Sequence, residues 1–322
     1  MEYGLIAGLD KPVSRLVQGT GMVGSRDQGR WFELLDAVYE LGCTAFDTAH
    51  IYGAGDNERT VGRWVNQRGI RDRVVIIGKG AHFNEDRQRV TPFDITSDLY
   101  DSLARFQFDA IDLYLLHRDD PTVPVGPIVD VLNEHREAGR IRAYGGSNWT
   151  HQRLAAANDY AAAHGLAPFV ASSPHFSLAE LVQGGWPGLV SVAGPANREA
   201  RGWYAATQMP LVPWSSLASG FLSGRFSRRD MRAAASDPSK ACLRWFGSED
   251  NFRRLDRARM LAAEKGLTVS QVGVAYLMSQ GLNVYPVVGS KDPAHFEDSI
   301  RAQAVRLTQA EVDWLDLARE ER

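Results

Sequence analysis

The feature that most constrains the fold is a regular alternation of short apolar runs with helical segments. Eight short apolar runs recur along the chain, and several of them are continuous stretches of Val, Ile and Leu. Continuous apolar runs are typical of parallel strands that helices cover on both faces. The predicted strands lie at residues 15–20, 44–49, 74–80, 111–118, 141–148, 169–176, 210–217 and 284–290.

Helical patterns occupy the segments between these runs. In 92–106 apolar residues recur at helical spacing, and Thr91 followed by Pro92 is typical of an N-cap and a first helical residue. Gly139 is expected to end the helix at 127–138 in the left-handed conformation. The other predicted helices lie at residues 28–41, 56–67, 150–164, 196–208, 252–265, 270–280, 293–302 and 308–319.

Eight strands separated by helices predict an α/β fold of the (β/α)8 TIM barrel type. Residues 3–9 are expected to begin an N-terminal β-hairpin, and 308–319 to form an extra C-terminal helix. A doubly wound open sheet is the alternative, but no GxGxxG motif follows the first strand. No repeat or linker divides the chain, so residues 1–322 are expected to form a single domain, with functional loops at 177–195 and 218–250.

Composition narrows the class of protein further. The 322 residues carry a formal net charge of −3 and are 44% hydrophobic, as expected for a soluble globular protein. No basic stripe suggests nucleic acid, and no run of about 18 apolar residues suggests a membrane-spanning helix. The N-terminus lacks the basic segment of a signal peptide, and the two cysteines form no CxxC motif. We therefore expect a cytoplasmic protein with a small-molecule partner; the sequence leaves its oligomeric state open.

Titratable side chains follow three consecutive predicted strands. Asp47 ends the second strand, with Tyr52 in the loop behind it, Lys79 ends the third, and His117 ends the fourth. Because the C-terminal strand ends of a barrel form one rim, where barrel enzymes keep their active sites, we expect these side chains to lie together. Each has a structural explanation when taken singly, such as a snorkelling lysine or a hydrogen-bonded core histidine. Their joint occurrence in apolar runs favours a catalytic site.

The same residues resemble the successive signatures of the aldo-keto reductase superfamily. The similar stretches cover nearly the whole chain: GCTAFDTAHIYGAGDNERTVGRWV, VVIIGKG, IDLYLLHRDDP, YGGSNW, VPWSSLASGFLSGRF, VGVAYLMSQG and VVGSKDPAHFEDSI. The resemblance implies a (β/α)8 barrel that binds NADP(H), or less often NAD(H), uses no metal and interconverts carbonyls and alcohols. It also implies that Asp47, Tyr52, Lys79 and His117 are the catalytic tetrad.

The chemistry of carbonyl reduction agrees with this tetrad. The reaction needs a hydride and a proton for the developing alkoxide. Tyr52 is expected to supply the proton, and Lys79 to lower the pKa of the phenol from its ordinary ~10. Asp47 is expected to keep Lys79 charged and oriented, and His117 to hydrogen-bond the substrate oxygen.

The resemblance also implies a set of cofactor contacts. Ser147 and Asn148 match the residues that hold the nicotinamide carboxamide, with Ser173 standing where glutamine is usual. Trp214 replaces the usual stacking tyrosine, and its indole offers a larger face. The remaining positions matched in this part of the chain are Gly19, Thr20, Gly21, Met22, Asp47, Ser215, Leu217, Ser219 and Gly220.

The segment GSKDPAHFEDSI is expected to hold the 2′-phosphate and adenine, since a helix starting near Pro293 offers its N-terminus to a phosphate. The matched residues are Gly289, Ser290, His295, Asp298 and Ser299. Relatives that prefer NADP carry lysine and arginine where this chain has Gly289 and His295, and Lys291 is a candidate to restore the charge. The alternative is that Lys291 and His295 are solvated surface residues. We predict a modest preference for NADP(H), with NAD(H) also possible.

Loops above the rim are expected to form the substrate pocket. The candidate residues are Met22, Tyr52, His82, Phe83, His117, Arg118, Trp149, His175, Trp245 and Asn251. Aromatic walls with several polar groups suit a sugar-like ligand or an aromatic aldehyde. The stretches HRDDP and GGWPG are similar to bacterial members associated with sugar-modifying oxidoreductases, and arginine far exceeds lysine, as in GC-rich genomes.

These observations predict an NAD(P)H-dependent oxidoreductase that interconverts an aldehyde, ketone or keto sugar and an alcohol. The alternative is a slow-turnover regulatory or binding subunit of the same fold, against which the intact tetrad argues. A non-redox barrel such as an isomerase would need a phosphate-binding glycine pair after the seventh strand, where only Gly220 occurs.

Overall fold

The computed structural model describes residues 1–182, 187–233 and 236–322. These residues divide into two compact units, Met1–Ser173 with Gly289–Pro293 and Pro174–Val288 with Ala294–Arg322, called here the first and the second unit. Parts of the two predicted functional loops and of the GGWPG stretch lie outside the described residues. None of the helices in the described part of the chain is long and apolar enough to cross a membrane.

The first unit is built on a parallel sheet whose strands follow one another in chain order. Strands β1 (Tyr3–Gly4) and β2 (Val13–Ser14) pair antiparallel as the predicted N-terminal hairpin. The sheet contains β3 (Val17–Gly19), β4 (Ala45–Asp47), β5 (Val75–Gly80), β6 (Ile111–Leu116), β7 (Ile141–Ser147) and β8 (Ala171–Ser173). All six residues of both β5 and β6 are buried, as expected for continuous apolar runs covered on both faces.

Five helices connect these strands. They are α1 (Gln28–Glu40), α2 (Asp56–Arg68), α3 (Pro92–Phe106), α4 (Val125–Glu137) and α5 (His151–His164). The Thr91 hydroxyl caps α3 by accepting a hydrogen bond from the Asp94 N–H, and Pro92 is the first helical residue, as predicted. Gly139 adopts a φ of 73° behind α4, which confirms the predicted left-handed stop.

The core of the first unit fixes α2 against β4. Phe46 and Trp64 have no exposed surface, and their ring centroids lie 4.9 Å apart. A Cβ on Gly62 would overlap the backbone of Phe106, so only glycine allows α2 and α3 to approach this closely. The loop between β4 and α2, which carries Tyr52, is therefore held at both ends.

The second unit is mainly helical. It contains α6 (Arg198–Thr207), α7 (Cys242–Phe246), α8 (Glu249–Lys265), α9 (Val269–Met278), most of α10 (Pro293–Arg301), α11 (Gln309–Leu315) and the short strand β9 (Val287–Val288). Helix α11 is the predicted C-terminal helix, and Thr308 and Glu311 form a capping box at its start. Helix α7 was not predicted from the sequence, because its five residues are too few to show a helical period.

The segment 210–217, which the sequence predicts to be a strand, does not form a regular strand in the structure. Among the described residues this segment makes isolated bridges only, from Leu211 to Val284 and from Trp214 to His175. Pro210 and Pro213 have no N–H group to donate, so the segment is unable to form a regular ladder.

Candidate active site

The four residues of the predicted tetrad form one cluster in the first unit. Lys79 Nζ lies 2.5 Å from Asp47 Oδ1, donates a hydrogen bond of 2.9 Å to the Thr48 carbonyl, and lies 5.2 Å from the centroid of the Tyr52 ring. The rings of Tyr52 and His117 meet edge to face with their centroids 6.0 Å apart. The parallel register of β4, β5 and β6 brings these residues to one edge of the sheet.

Burial and neighbouring groups together set the charges of Lys79 and His117. Burial alone would lower the pKa of Lys79, but the Asp47 carboxylate and the Tyr52 phenol raise it above its ordinary value, so the ammonium is charged at neutral pH. Burial lowers the pKa of His117 well below its ordinary value, and the cations Lys79 and Arg118 lower it further. The imidazole is therefore neutral.

The Tyr52 phenol differs from the sequence-based expectation. Burial raises the pKa of Tyr52 above its ordinary value, and the opposing effect of Lys79 does not outweigh it. Lys79 therefore acts in the predicted direction, but the expected net lowering of this pKa is wrong. The pattern of residues revealed the ammonium beside the phenol but not the extent to which folding removes water from it.

The loop after β3 is anchored beside this cluster. The Thr20 N–H and hydroxyl both donate to the Asp47 carbonyl, at 3.0 and 2.8 Å. The buried Asn57 amide of α2 donates to the carbonyls of Thr20, at 2.6 Å, and Val23, at 3.1 Å. Sequence reasoning missed Asn57, although it stands on the buried face of α2, where a polar side chain needs a specific partner.

A layer of ion pairs lies behind the cluster. The His50 N–H donates to the Lys79 carbonyl at 2.8 Å, and Arg105 donates to both the His50 carbonyl and Glu58 at 3.0 Å. Glu58 is fully buried, and Asp98 accepts a hydrogen bond of 2.8 Å from the Ala81 N–H. Charged groups thus hold the backbone of Ala81, just after Lys79, and that of His50, which binds the Lys79 carbonyl. The sequence did not reveal these groups because their partners are distant along the chain.

Three predicted substrate contacts flank the tetrad. The ring centroid of His82 lies 4.9 Å from that of His117 and 4.3 Å from that of Phe83. The Arg118 guanidinium carbon lies 5.7 Å from the Phe83 centroid. Burial lowers the pKa of His82, so this imidazole also favours the neutral form. Another candidate in this unit, Trp149, has no exposed surface and donates its indole N–H to the Arg118 carbonyl at 3.1 Å, so it supports the loop that carries Arg118.

The Aldo/keto reductase family profile matches residues 15–320 of the chain. The protein belongs to the aldo/keto reductase family. Norsolorinic acid reductase A of Aspergillus parasiticus is 27% identical over 92% of this chain and 73% of its own length. An aldo-keto reductase of Metarhizium robertsii is 26% identical over 94% of this chain and 87% of its own length.

Solved structures show the same fold. A thermostable aldo-keto reductase in complex with the inhibitor epalrestat is 20% identical, with a TM-score of 0.74, over 99% of this chain and 100% of its own. The glycerol dehydrogenase of Gluconobacter oxydans is 22% identical, with a TM-score of 0.76, over 98% of this chain and 94% of its own. The predicted fold class, an α/β fold of the (β/α)8 barrel type, is confirmed.

Three residues predicted to bind the cofactor, Ser147, Asn148 and Ser173, lie next to one another in the first unit. The Ser147 hydroxyl donates to the Ser173 carbonyl at 2.9 Å, and the Asn148 amide donates to the His117 carbonyl at 3.2 Å. Asn148 adopts a φ of 58°, an uncommon conformation that is concentrated at functional sites. The buried Ser173 hydroxyl has no hydrogen-bond partner among the described residues, so it fits a role in binding a polar group such as a carboxamide.

The neighbouring positions of the first unit are arranged around the loop after β3. A Cβ on Gly21 would lie 3.6 Å from the Tyr52 ring, and one on Gly289 would lie 3.5 Å from the Met22 methyl group. The Gln18 amide donates to the carbonyls of Gly19, at 2.8 Å, and Ser290, at 3.1 Å. Lys291 is exposed.

In the second unit, the residues matched to the cofactor include a stretch of unusual backbone. Ser215, Ala218, Ser219 and Gly220 have φ angles of 53°, 50°, 52° and 89°, and the hydroxyls of Ser215 and Ser219 lie 3.1 Å apart. Leu217 precedes this turn, and its carbonyl accepts from the Gly220 N–H at 3.0 Å. Successive backbone N–H groups in such conformations suit an anion.

Residues of α10 are engaged in different ways. The Asp298 carboxylate accepts hydrogen bonds from Thr268, at 2.8 Å, and Gln271, at 2.9 Å, so both of its oxygens serve the N-terminus of α9. The buried Ser299 hydroxyl donates to the His295 carbonyl at 3.1 Å, and His295 itself is exposed.

Two substrate candidates of the second unit have structural roles. His175 is fully buried, with its ring nitrogens 2.9 Å from Ser191 Oγ and 3.2 Å from Ser177 Oγ. The Asn251 amide donates to the carbonyls of Glu180, at 2.7 Å, and Phe246, at 2.8 Å. Trp245 lies in α7 with its side chain partly exposed.

Proposed function

We propose that the protein is an NAD(P)H-dependent oxidoreductase in which Tyr52 is the general acid and base. Membership of the family establishes chemistry between carbonyls and alcohols, and the cofactor, the role of Tyr52 and the substrate are the proposal. The observation that carries it is the contact of Lys79 with both Asp47 and the Tyr52 ring, beside a neutral His117. We further propose that residues 1–322 form one domain, because a single family profile spans 15–320. The cytoplasmic location stays a prediction.

The tetrad supplies a proton at neutral pH. Burial keeps the Tyr52 phenol protonated, so it is able to donate to a carbonyl oxygen that gains negative charge. In the reverse direction the Lys79 ammonium stabilises the phenolate that accepts the proton from an alcohol. Asp47 holds Lys79 in place, and the neutral His117 hydrogen-bonds the substrate oxygen and selects its orientation.

A reduced nicotinamide, when bound, supplies the hydride. Ser147, Asn148 and Ser173 are the residues proposed to hold its carboxamide, since the Ser173 hydroxyl is buried and unpaired within the described part of the chain. The contacts of Trp214 and of the 289–299 segment stay predictions, as does the preference for NADP(H) over NAD(H).

The substrate is proposed to be a small aldehyde or ketone. The His82 ring packs edge to face with His117, and the Phe83 ring packs at a tilt on His82. These aromatic surroundings suit an aromatic or sugar-like ligand. The name norsolorinic acid reductase, carried by a relative, supports reduction of a carbonyl compound. The predicted association with bacterial sugar-modifying members stays a prediction.

A turnover assay tests this function. The protein is mixed with NADPH or NADH and a panel of aromatic aldehydes, aliphatic aldehydes and keto sugars, and the loss of the reduced-nicotinamide absorbance is followed. Turnover that disappears in Tyr52→Phe is the expected result. Tight binding of a cofactor without turnover of any carbonyl in the panel would instead favour the regulatory or binding subunit.

A further inference from the structure

Arg118 is a buried cation without a counter-charge. It follows His117 directly behind β6, and only 5% of its surface is exposed. One guanidinium nitrogen, Nη1, donates to the His117 carbonyl at 2.9 Å, whereas the buried Nε has no hydrogen-bond partner among the residues that the structure describes. Within residues 1–182, 187–233 and 236–322, no carboxylate forms an ion pair with this guanidinium.

The other buried arginines are paired. Arg254 and Arg257, which are exposed by 3% and 9%, contact the carboxylates of Glu180 and Glu320. The acid next to Arg118 in the sequence, Asp119, is engaged with Arg153 at 3.1 Å. A buried charge without a partner is costly, so its retention here needs a different explanation from packing.

The charge of Arg118 is not balanced by the tetrad. Asp47 neutralises Lys79, and the imidazoles of His82 and His117 are neutral because burial lowers the pKa of both. Burial lowers the pKa of Arg118 to about 10, which leaves the guanidinium charged at neutral pH. The substrate side of the tetrad therefore carries one uncompensated positive charge.

We propose that Arg118 binds a carboxylate of the substrate, so that the preferred substrates are aldehydes or ketones with an ionised carboxyl group. This inference rests on the proposed carbonyl reduction and names its substrate class. A guanidinium offers a planar fork of donors that matches the two oxygens of a carboxylate. The Phe83 ring, whose centroid lies 5.7 Å from the guanidinium, offers an apolar surface beside it to a partly apolar ligand.

A matched pair of aldehydes isolates this contact. 4-Carboxybenzaldehyde and 4-nitrobenzaldehyde have nearly the same shape, but only the first is an anion at neutral pH. The ratio of their kcat/KM values is measured for the wild type and for Arg118→Met, with the 3-substituted pair included to vary the distance between the two groups. We expect the wild type to favour the carboxylate in at least one pair, and Arg118→Met to lower that ratio by roughly 10- to 100-fold.

Two further variants separate charge from geometry. Arg118→Lys keeps the charge and loses the fork, so we expect an intermediate ratio. Arg63 is an exposed arginine of α2, and Arg63→Met changes the net charge equally without altering the ratio. Because Arg118→Met removes an unpaired buried charge, it is expected to melt at the same temperature as the wild type or above it.

A binding measurement separates this inference from the proposed function. Benzoate and benzamide are titrated calorimetrically into wild type and Arg118→Met, with and without NADP+. Benzoate binding that depends on Arg118 supports the carboxylate site even if no aldehyde is turned over, in which case the proposed function fails alone. An unchanged aldehyde ratio, equal binding of benzoate and benzamide, or a matching loss of NADPH affinity in Arg118→Met would overturn the inference.

Discussion

Lys79 Nζ lies 2.5 Å from Asp47 Oδ1, and the two residues are exposed by only 2% and 4%. They come from neighbouring parallel strands, so the fold itself holds the charges together. Neither charge has water to replace a lost partner. The pair therefore links the stability of the protein to its chemistry.

Removal of one partner is expected to destabilise the protein strongly. Lys79→Met leaves the Asp47 carboxylate buried and unpaired, and the free energy of unfolding should fall by about 3–5 kcal/mol. Lys79→Met combined with Asp47→Leu removes both charges and should recover most of this loss. Urea unfolding of the wild type, Lys79→Met and the double variant measures these free energies. A loss below about 1 kcal/mol in Lys79→Met would show that the pair is not desolvated as described.

Lys79→Met should also change the pH dependence of alcohol oxidation. In the proposed mechanism oxidation needs the Tyr52 phenolate. Burial raises the pKa of this phenol, and the Lys79 ammonium opposes that rise. Loss of the ammonium raises the pKa further, so activity near neutral pH should disappear and a small residual rate should rise towards alkaline pH. The profile of kcat against pH is the measurement, and a profile that coincides with the wild type would make Lys79 structural only.

Tyr52→Phe tests the proton donor directly. Because the phenol acts on the substrate oxygen in the transition state, the variant should lose at least ~10²-fold in kcat. The Kd of the cofactor, measured by fluorescence titration, should stay nearly unchanged. Retention of more than about a tenth of the wild-type kcat would rule out this role for Tyr52.

Because His175 is buried, the folded protein is expected to lose stability at acidic pH. Burial lowers the pKa of His175 from 6.5 to about 3, so the ring stays neutral in the folded protein while the unfolded chain binds a proton. Stability is therefore lost as the pH falls from about 6.5 towards about 3, with about 2 kcal/mol gone at pH 5 relative to pH 7. Urea unfolding at pH 7 and pH 5 measures this loss for the wild type and for His175→Gln. The loss of unfolding free energy between the two pH values should be smaller in the variant by about 2 kcal/mol. An equal pH dependence in both proteins would contradict the prediction.

The predicted preference for NADP(H) is proposed to depend on two exposed residues, Lys291 and His295. Lys291 and His295 are the groups expected to contact a 2′-phosphate, so Lys291→Ala and His295→Ala should weaken NADPH binding and leave NADH binding unchanged. We expect the wild type to discriminate by about 1–3 kcal/mol in favour of NADPH. Fluorescence titration of each protein with both cofactors gives the Kd values. Tighter binding of NADH by the wild type, or equal losses for both cofactors, would reverse the assignment.

The sequence by itself determined most of the helices and most of the strands, because their signals are local. The segment 92–106 is observed as Pro92–Phe106, since both the apolar period and the Thr91 cap lie within the helix or next to it. The clustering of Asp47, Tyr52, Lys79 and His117 was also predictable, because parallel strands bring their C-terminal ends to one edge of the sheet. The strand at 210–217 was mispredicted where two prolines outweighed an apolar pattern.

Only the tertiary structure decided which polar groups are paired and which are shielded from water. The raised pKa of Tyr52, the buried Glu58 and Arg105 pair and the structural role of Asn251 depend on partners brought together from distant positions in the chain. Arg118 is a further example, because the sequence does not show whether a carboxylate lies near its guanidinium in the folded protein. Desolvation and long-range pairing are properties of packing, and no local pattern encodes them.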